Sequence, residues 1–248
     1  MKKIFTLIAV ATMALSANAQ EIFKVSTKPV DGSTINATTS VKLTYGNDGA
    51  WADPASKEDK LGNGFNNFTS GGQNPKDGEL SGGKSTGNGY KQETKNLPKS
   101  GTYYVFECSK SGYLTIYVQL NGDKNFFVID GADGTNLTTS LDITFNQLSG
   151  KDITPTLDET TGSYTTGEKL KGGITFPVAA NSKYYVLCTG SKLGFYGFEL
   201  SDSKPTGIEA VKGVKAAFKG ATYNVAGQQV DAAFKGLVIK DGKKIINK

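Results

Sequence analysis

In YLTIYVQL, residues 113–120, side-chain character changes at every step: Leu114, Ile116, Val118 and Leu120 fall on one side, Tyr113, Thr115, Tyr117 and Gln119 on the other. A period of two is the geometry of a strand with one dry face. SVKLTYG, residues 40–46, repeats it with Val41, Leu43 and Tyr45. NFFVID, residues 125–130, is apolar on both faces and reads as a central strand, closed by the turn-forming Gly131-Ala132-Asp133-Gly134. Further strands are predicted over 22–26, 141–145, 174–178, 184–188 and 193–200, and no segment carries a helical stripe. The chain is therefore expected to be all-β, an antiparallel β-sandwich.

One internal echo stands out. GTYYVFECSKSGYLTIYVQL resembles NSKYYVLCTGSKLGFYGFEL, each a strand opening on Tyr-Tyr, a turn and a second strand. The expectation is two hairpins in similar places in the two sheets. Residues 46–101 hold 12 of the 31 glycines, few aliphatics and the only Trp, and read as a long loop region of the 20–200 domain. A polar linker follows at 201–207, then a piece at 208–248, too short for a core of its own and rich in strand and turn signals.

The first 19 residues, two lysines, an apolar run over 4–15 and Ala17-Asn18-Ala19, have the order of a secretory signal peptide. The run is too short to cross a bilayer, so no transmembrane span is expected. The mature chain would be secreted or held at the outer cell surface. Removing Lys2 and Lys3 takes 28 basic residues to 26 against 23 acidic ones, lowering the net charge from +5 to about +3. The lysines are dispersed, so no nucleic-acid partner is expected.

Every basic residue is Lys, and Arg and His are absent. Arg supplies the bidentate fork for carboxylate and phosphate, and His the proton shuttle near neutral pH and most zinc sites. Much enzymology is thereby disfavoured. Cys108 and Cys188 each end an apolar run, which suits either a disulfide in an oxidising compartment or two buried thiols.

The tail carries a family resemblance. Tyr223-Asn224-Val225-Ala226-Gly227-Gln228-Gln229-Val230, then Lys235-Gly236-Leu237-Val238-Ile239-Lys240-Asp241-Gly242-Lys243-Lys244-Ile245-Ile246, resembles the C-terminal sorting segment of secreted Bacteroidetes proteins associated with type IX secretion. That likeness implies the export machinery as a partner. Asp241-Gly242 suits a two-residue hairpin turn. Val41-Lys42-Leu43-Thr44-Tyr45-Gly46, Gly101-Thr102-Tyr103-Tyr104 and 190–199 (GSKLGFYGFE) are similar to small secreted sandwich modules of that lineage, jelly-roll or galactose-binding-like in build and often met beside polysaccharide-degrading enzymes. The resemblance implies architecture more than activity.

Few constellations carry chemistry. GELSGGKS, residues 78–85, fits the phosphate-loop spelling but lacks the flanking strand and helix, and reads as glycine-rich composition. A thiol nucleophile has no imidazole partner here. A glycosidase needs two carboxylates, and Glu107 with Glu199 is the pair to inspect, against solvated strand residues as the plain reading. The run 130–136 offers oxygen ligands for calcium, but its spacing fits an Asx turn better, and no metal or cofactor is expected. The remaining candidate is a polar-aromatic face, with Tyr113 and Tyr117 about 13 Å apart and Gln119 pointing out on the same strand, and Tyr196 and Trp51 joining them. The opposing reading has these rings packed beneath the long loop. The functional expectation is a non-catalytic protein binding a polysaccharide or glycan; a structural or adhesive surface protein with a protein partner, and a polysaccharide-active enzyme, are the alternatives.

Overall fold

A computed structural model describes residues 20–47, 49–56, 61, 64–77, 95, 97–189 and 193–205, with four short strands inside 222–247. The signal-like segment 1–19 and the loop 78–85 lie outside the described residues. The chain divides into two compact units, Met1–Pro205 and Thr206–Lys248.

The first unit is a β-sandwich. One sheet runs β1 (Glu21–Lys24), β15 (Gly194–Ser201), β7 (Gly112–Leu120), β13 (Leu170–Val178), β9 (Thr144–Gln147) and β10 (Asp152–Ile153). The other runs β11 (Thr156–Asp158), β12 (Ser163–Thr165), β8 (Asn125–Asp130), β14 (Ser182–Thr189), β6 (Tyr103–Cys108), β3 (Val41–Tyr45) and β2 (Thr34–Asn36). Pairing is antiparallel throughout. Strands β1, β15, β7 and β13 against β6, β14, β8 and β12 reproduce the eight-stranded jelly roll, two nested Greek keys, with β9–β10, β11 and β3–β2 added at the edges. A short pair, β4 (Lys76–Asp77) with β5 (Pro98–Ser100), and a 3₁₀ turn at Pro54–Ser56 lie within the long loop region.

The period-two pattern decides what faces inward. Leu114, Ile116, Val118 and Leu120 of β7 meet Val41, Leu43, Phe106, Val128 and Val186 of the facing sheet in one cluster. NFFVID is central and buried on both sides: Phe126 and Val128 enter the inter-sheet core, while Phe127 and Ile129 join Tyr103, Val105 and Leu187 on the outer face, against Leu97 and Tyr185. Each large apolar side chain taken from water contributes about 1.5–3 kcal/mol, so these two clusters dominate the folding free energy.

The echo resolves into something other than hairpins. β6 and β14 lie in one sheet and pair with each other, Tyr104 opposite Val186; β7 and β15 lie in the other and pair with each other, Ile116 opposite Phe198. Each repeat is thus an arch that crosses between sheets. Pattern alone could not distinguish the two, because a hairpin and an arch both join alternating strands through a polar turn.

Several boundaries also shift. The strand predicted over 141–145 begins at Thr144, because Ser140 and Leu141 N–H groups donate back to the Leu137 carbonyl and close a turn first. In β15 a bulge between Phe195 and Gly197 lets Phe195 and Phe198 face inward while Tyr196 turns outward. Gly197 has φ 142°, and a Cβ there would collide with the Phe23 carbonyl oxygen, so only glycine suits the bulge.

The second unit holds a four-stranded antiparallel sheet in the order β17 (Gln229–Val230), β16 (Thr222–Asn224), β18 (Gly236–Lys240), β19 (Lys243–Asn247). Lys240 pairs with Lys243, leaving only two residues to connect β18 to β19.

Candidate functional site

The outer face of the first sheet is where the sequence places a ligand, and the long loop occupies much of it. Tyr196 is wholly buried, stacked on Phe68 with ring centroids 5.2 Å apart. Tyr117 is half-buried with Phe65 at 4.3 Å, and its hydroxyl donates to Glu199 Oε2 at 2.9 Å. Leu61, Phe65 and Tyr196 form a small outer core, held in place where Thr69 pairs with Phe195 beside β1. Tyr113 and Gln119 are half-buried at the two ends of β7. Trp51 is elsewhere, between the sheets, 5.3 Å from Tyr45 and 5.6 Å from Tyr104, with Nε1 donating to the Gly46 carbonyl at 3.3 Å. The five residues therefore do not share one open surface. Rings of this size gain more from covering each other than from water.

Cys108 and Cys188 are buried thiols with no bridge between them. Along the β6–β14 ladder Cys108 faces Ser182, six positions from Cys188. That separation is about 20 Å at strand rise, and a disulfide needs Cα atoms within about 7 Å. Burial pushes both thiols up to about 12, which leaves them without nucleophilic character near neutrality.

Glu107 and Glu199 alternate with core residues on opposite sheets, so both point away from the interior. With sheets about 10 Å apart, outward carboxylates cannot flank one glycosidic bond. In the 130–136 loop, Asp130 Oδ1 accepts from Ala132 N and Asp133 Oδ1 from Thr135 N, two Asx turns. Lys95 Nζ, 2.8 Å from Asp133, holds that carboxyl well below its usual range.

What the fold does assemble is a cleft at one end of the second sheet. Its volume is about 500 Å³, within the range of small-molecule sites. The β2–β3 turn contributes Thr38, Thr39 and Ser40, the end of β6 Glu107, the turn after it Ser109, the β13–β14 turn Asn181, and the start of β14 Ser182. Register then lays Asn36, Lys42, Glu107 and Lys183 in one row across β2, β3, β6 and β14. Lys183 Nζ lies 2.8 Å from Glu107 Oε1, and that contact raises the lysine's pKa. Asn181 has φ 57°, a left-handed turn position that Asn tolerates.

The cleft wall is pinned from the other sheet. Glu21, the first residue of β1, accepts from Ser40 N at 2.8 Å and Ser40 Oγ at 2.6 Å, and Lys110 bridges it at 3.3 Å to Asp202 at 3.2 Å. Burial would raise the Glu21 carboxyl, but hydrogen bonds from Ser40, Thr38 and Lys110 overcome it and bring its pKa to about 2. At the opposite end of β3 a second cavity of about 640 Å³ is lined by Lys28, Pro29, Val30, Asp31, Ala50 and Trp51, the last only 5% exposed.

Sequence reasoning passed over the first cleft because its residues come from three turns and four strands. The one available signal was Lys42, Glu107 and Lys183, each charged and each beside a core position. No protein-family model matches the chain, and no curated protein matches it as a relative.

Proposed function

We propose that this chain is an exported, non-catalytic carbohydrate-binding protein whose ligand site is the cleft at the end of the second sheet. The observation that carries this reading is the cleft's composition. Two amides, Asn36 and Asn181, the carboxylate Glu107 and several hydroxyls converge on a volume of about 500 Å³. Amides and carboxylates suit vicinal hydroxyl pairs, since each offers two adjacent hydrogen-bonding atoms. Glu107 is the only carboxylate among the described lining residues and Cys108 is 2% exposed, so neither a paired-carboxylate nor a thiol mechanism has its parts there. Binding without turnover is the consistent reading.

The N-terminal segment and the tail complete the proposal as export and sorting signals, with the secreted or outer surface as destination. Affinity electrophoresis of the mature chain in gels containing plant and host polysaccharides tests the binding reading. Retardation by at least one glycan, lost in Asn181→Gly, which removes the amide and keeps the left-handed turn and the melting temperature, is the expected result. Mobility unchanged in every gel would refute it.

A further inference from the structure

We infer that the cleft is built for an acidic glycan, a polysaccharide carrying uronic-acid carboxylates, with Lys42 as the group that pairs with the acid. This rests on the carbohydrate reading above and deepens it. In the row Asn36, Lys42, Glu107, Lys183, the carboxylate of Glu107 is engaged by Lys183 at 2.8 Å. Lys42 sits on the other side of Glu107, exposed, and no carboxylate lies within ion-pair distance of it among the described residues.

The remaining lining side chains, Thr38, Thr39, Ser109, Asn181 and Ser182 among them, are uncharged. Two lysines and one glutamate leave the cleft one positive charge in excess. Behind the wall Glu21 and Asp202 share the single ammonium of Lys110, so that group keeps one net negative charge, but neither carboxylate lines the cleft or pairs with Lys42, and the positive excess facing a ligand is local to Lys42.

Strand spacing sets the scale. Lys42 and Lys183 lie on strands two apart, so their backbones are about 10 Å from each other with Glu107 midway. A sugar chain lying along the row would place one acid at Lys42, while Glu107 and the amides of Asn36 and Asn181 meet ring hydroxyls. A neutral sugar leaves the Lys42 ammonium with water alone, and a cationic one is repelled by both lysines. A compact lysine ammonium suits a single carboxylate oxygen and does not demand the two-pronged geometry that an Arg fork would impose.

Calorimetric titration of the mature full chain decides the matter with four probes: polygalacturonate, its fully methyl-esterified form, a neutral galactan and a sulfated galactan. Polygalacturonate should bind, weaken as salt is raised, and lose about tenfold in affinity or more in Lys42→Gln, with most of it recovered in Lys42→Arg. Lys42 is exposed, so an unchanged melting temperature will separate lost binding from lost folding. Equal binding of the esterified or neutral polymer would overturn this inference and leave the carbohydrate reading standing. Preference for the sulfated polymer would overturn the carboxylate assignment. Binding of none of the four, together with unretarded mobility in the gels above, would remove both.

Discussion

At the scale of single residues, the site depends on a side chain outside it. Glu21 contributes nothing to the cleft lining, yet its carboxylate fixes Ser40 and, with Lys110 and Asp202, ties β1 to the β2–β3 turn. Its pKa falls from an ordinary 4.5 to about 2 on folding, so the folded state favours the charged form. The stabilisation is complete above about pH 4.5 and is lost as pH falls toward 2. Glu21→Gln should therefore cost about 1.5–3 kcal/mol at neutral pH, the range for hydrogen bonds to charged groups. Chemical denaturation at neutral pH and again near the lower value should show the difference between wild type and variant shrinking on acidification. A constant difference would mean that the carboxylate's charge plays no part.

Among elements, the two arches decide most of the geometry. Because β6 pairs with β14 and β7 with β15, the Tyr-Tyr openings of both repeats lie side by side in one sheet, with Tyr103 and Tyr185 stacked at 5.7 Å. The loop from Leu61 to Thr69 then seals the outer face of β15, its Phe65 lying against Tyr117 and its Phe68 against Tyr196. Phe65 is 1% exposed, so Phe65→Ala should destabilise the sandwich by about 3–5 kcal/mol, as buried aromatic truncations do. A loss below about 1 kcal/mol in urea unfolding would show that the loop rests on the sheet without stabilising it. The same contacts explain why the rings most tempting as a sugar platform serve packing.

For the whole molecule, topology sets the folding rate. β1 pairs with β15, Glu21 opposite Leu200, so the first strand of the sandwich waits for the last. Non-local pairing of this kind slows folding, and refolding from denaturant is expected on the order of milliseconds to seconds or slower. Stopped-flow measurement checks this; microsecond refolding would contradict the strand order. All strands of the sandwich precede Pro205, so a chain truncated there should keep a cooperative melt and the proposed glycan binding, whereas truncation before β15 should abolish the melt.

The amino-acid sequence determined the class of structure and the inward face of the alternating strands β3 and β7. Alternation at Val41, Leu43 and Tyr45, or along β7, allows only one side to be dry, and that is a local property of residues two apart. It also made free-standing hydrogen-bonding chemistry more plausible than His- or Arg-based catalysis. Only the tertiary structure decided which strands are neighbours, and with that everything about the cleft. Lys42, Glu107 and Lys183 are separated by long stretches of chain and meet because β3, β6 and β14 are adjacent in one sheet. The covering of Tyr117 and Tyr196 was decided in the same way. Whether an outward ring meets water or a loop depends on chain distant in sequence, and the period-two pattern carries no record of that.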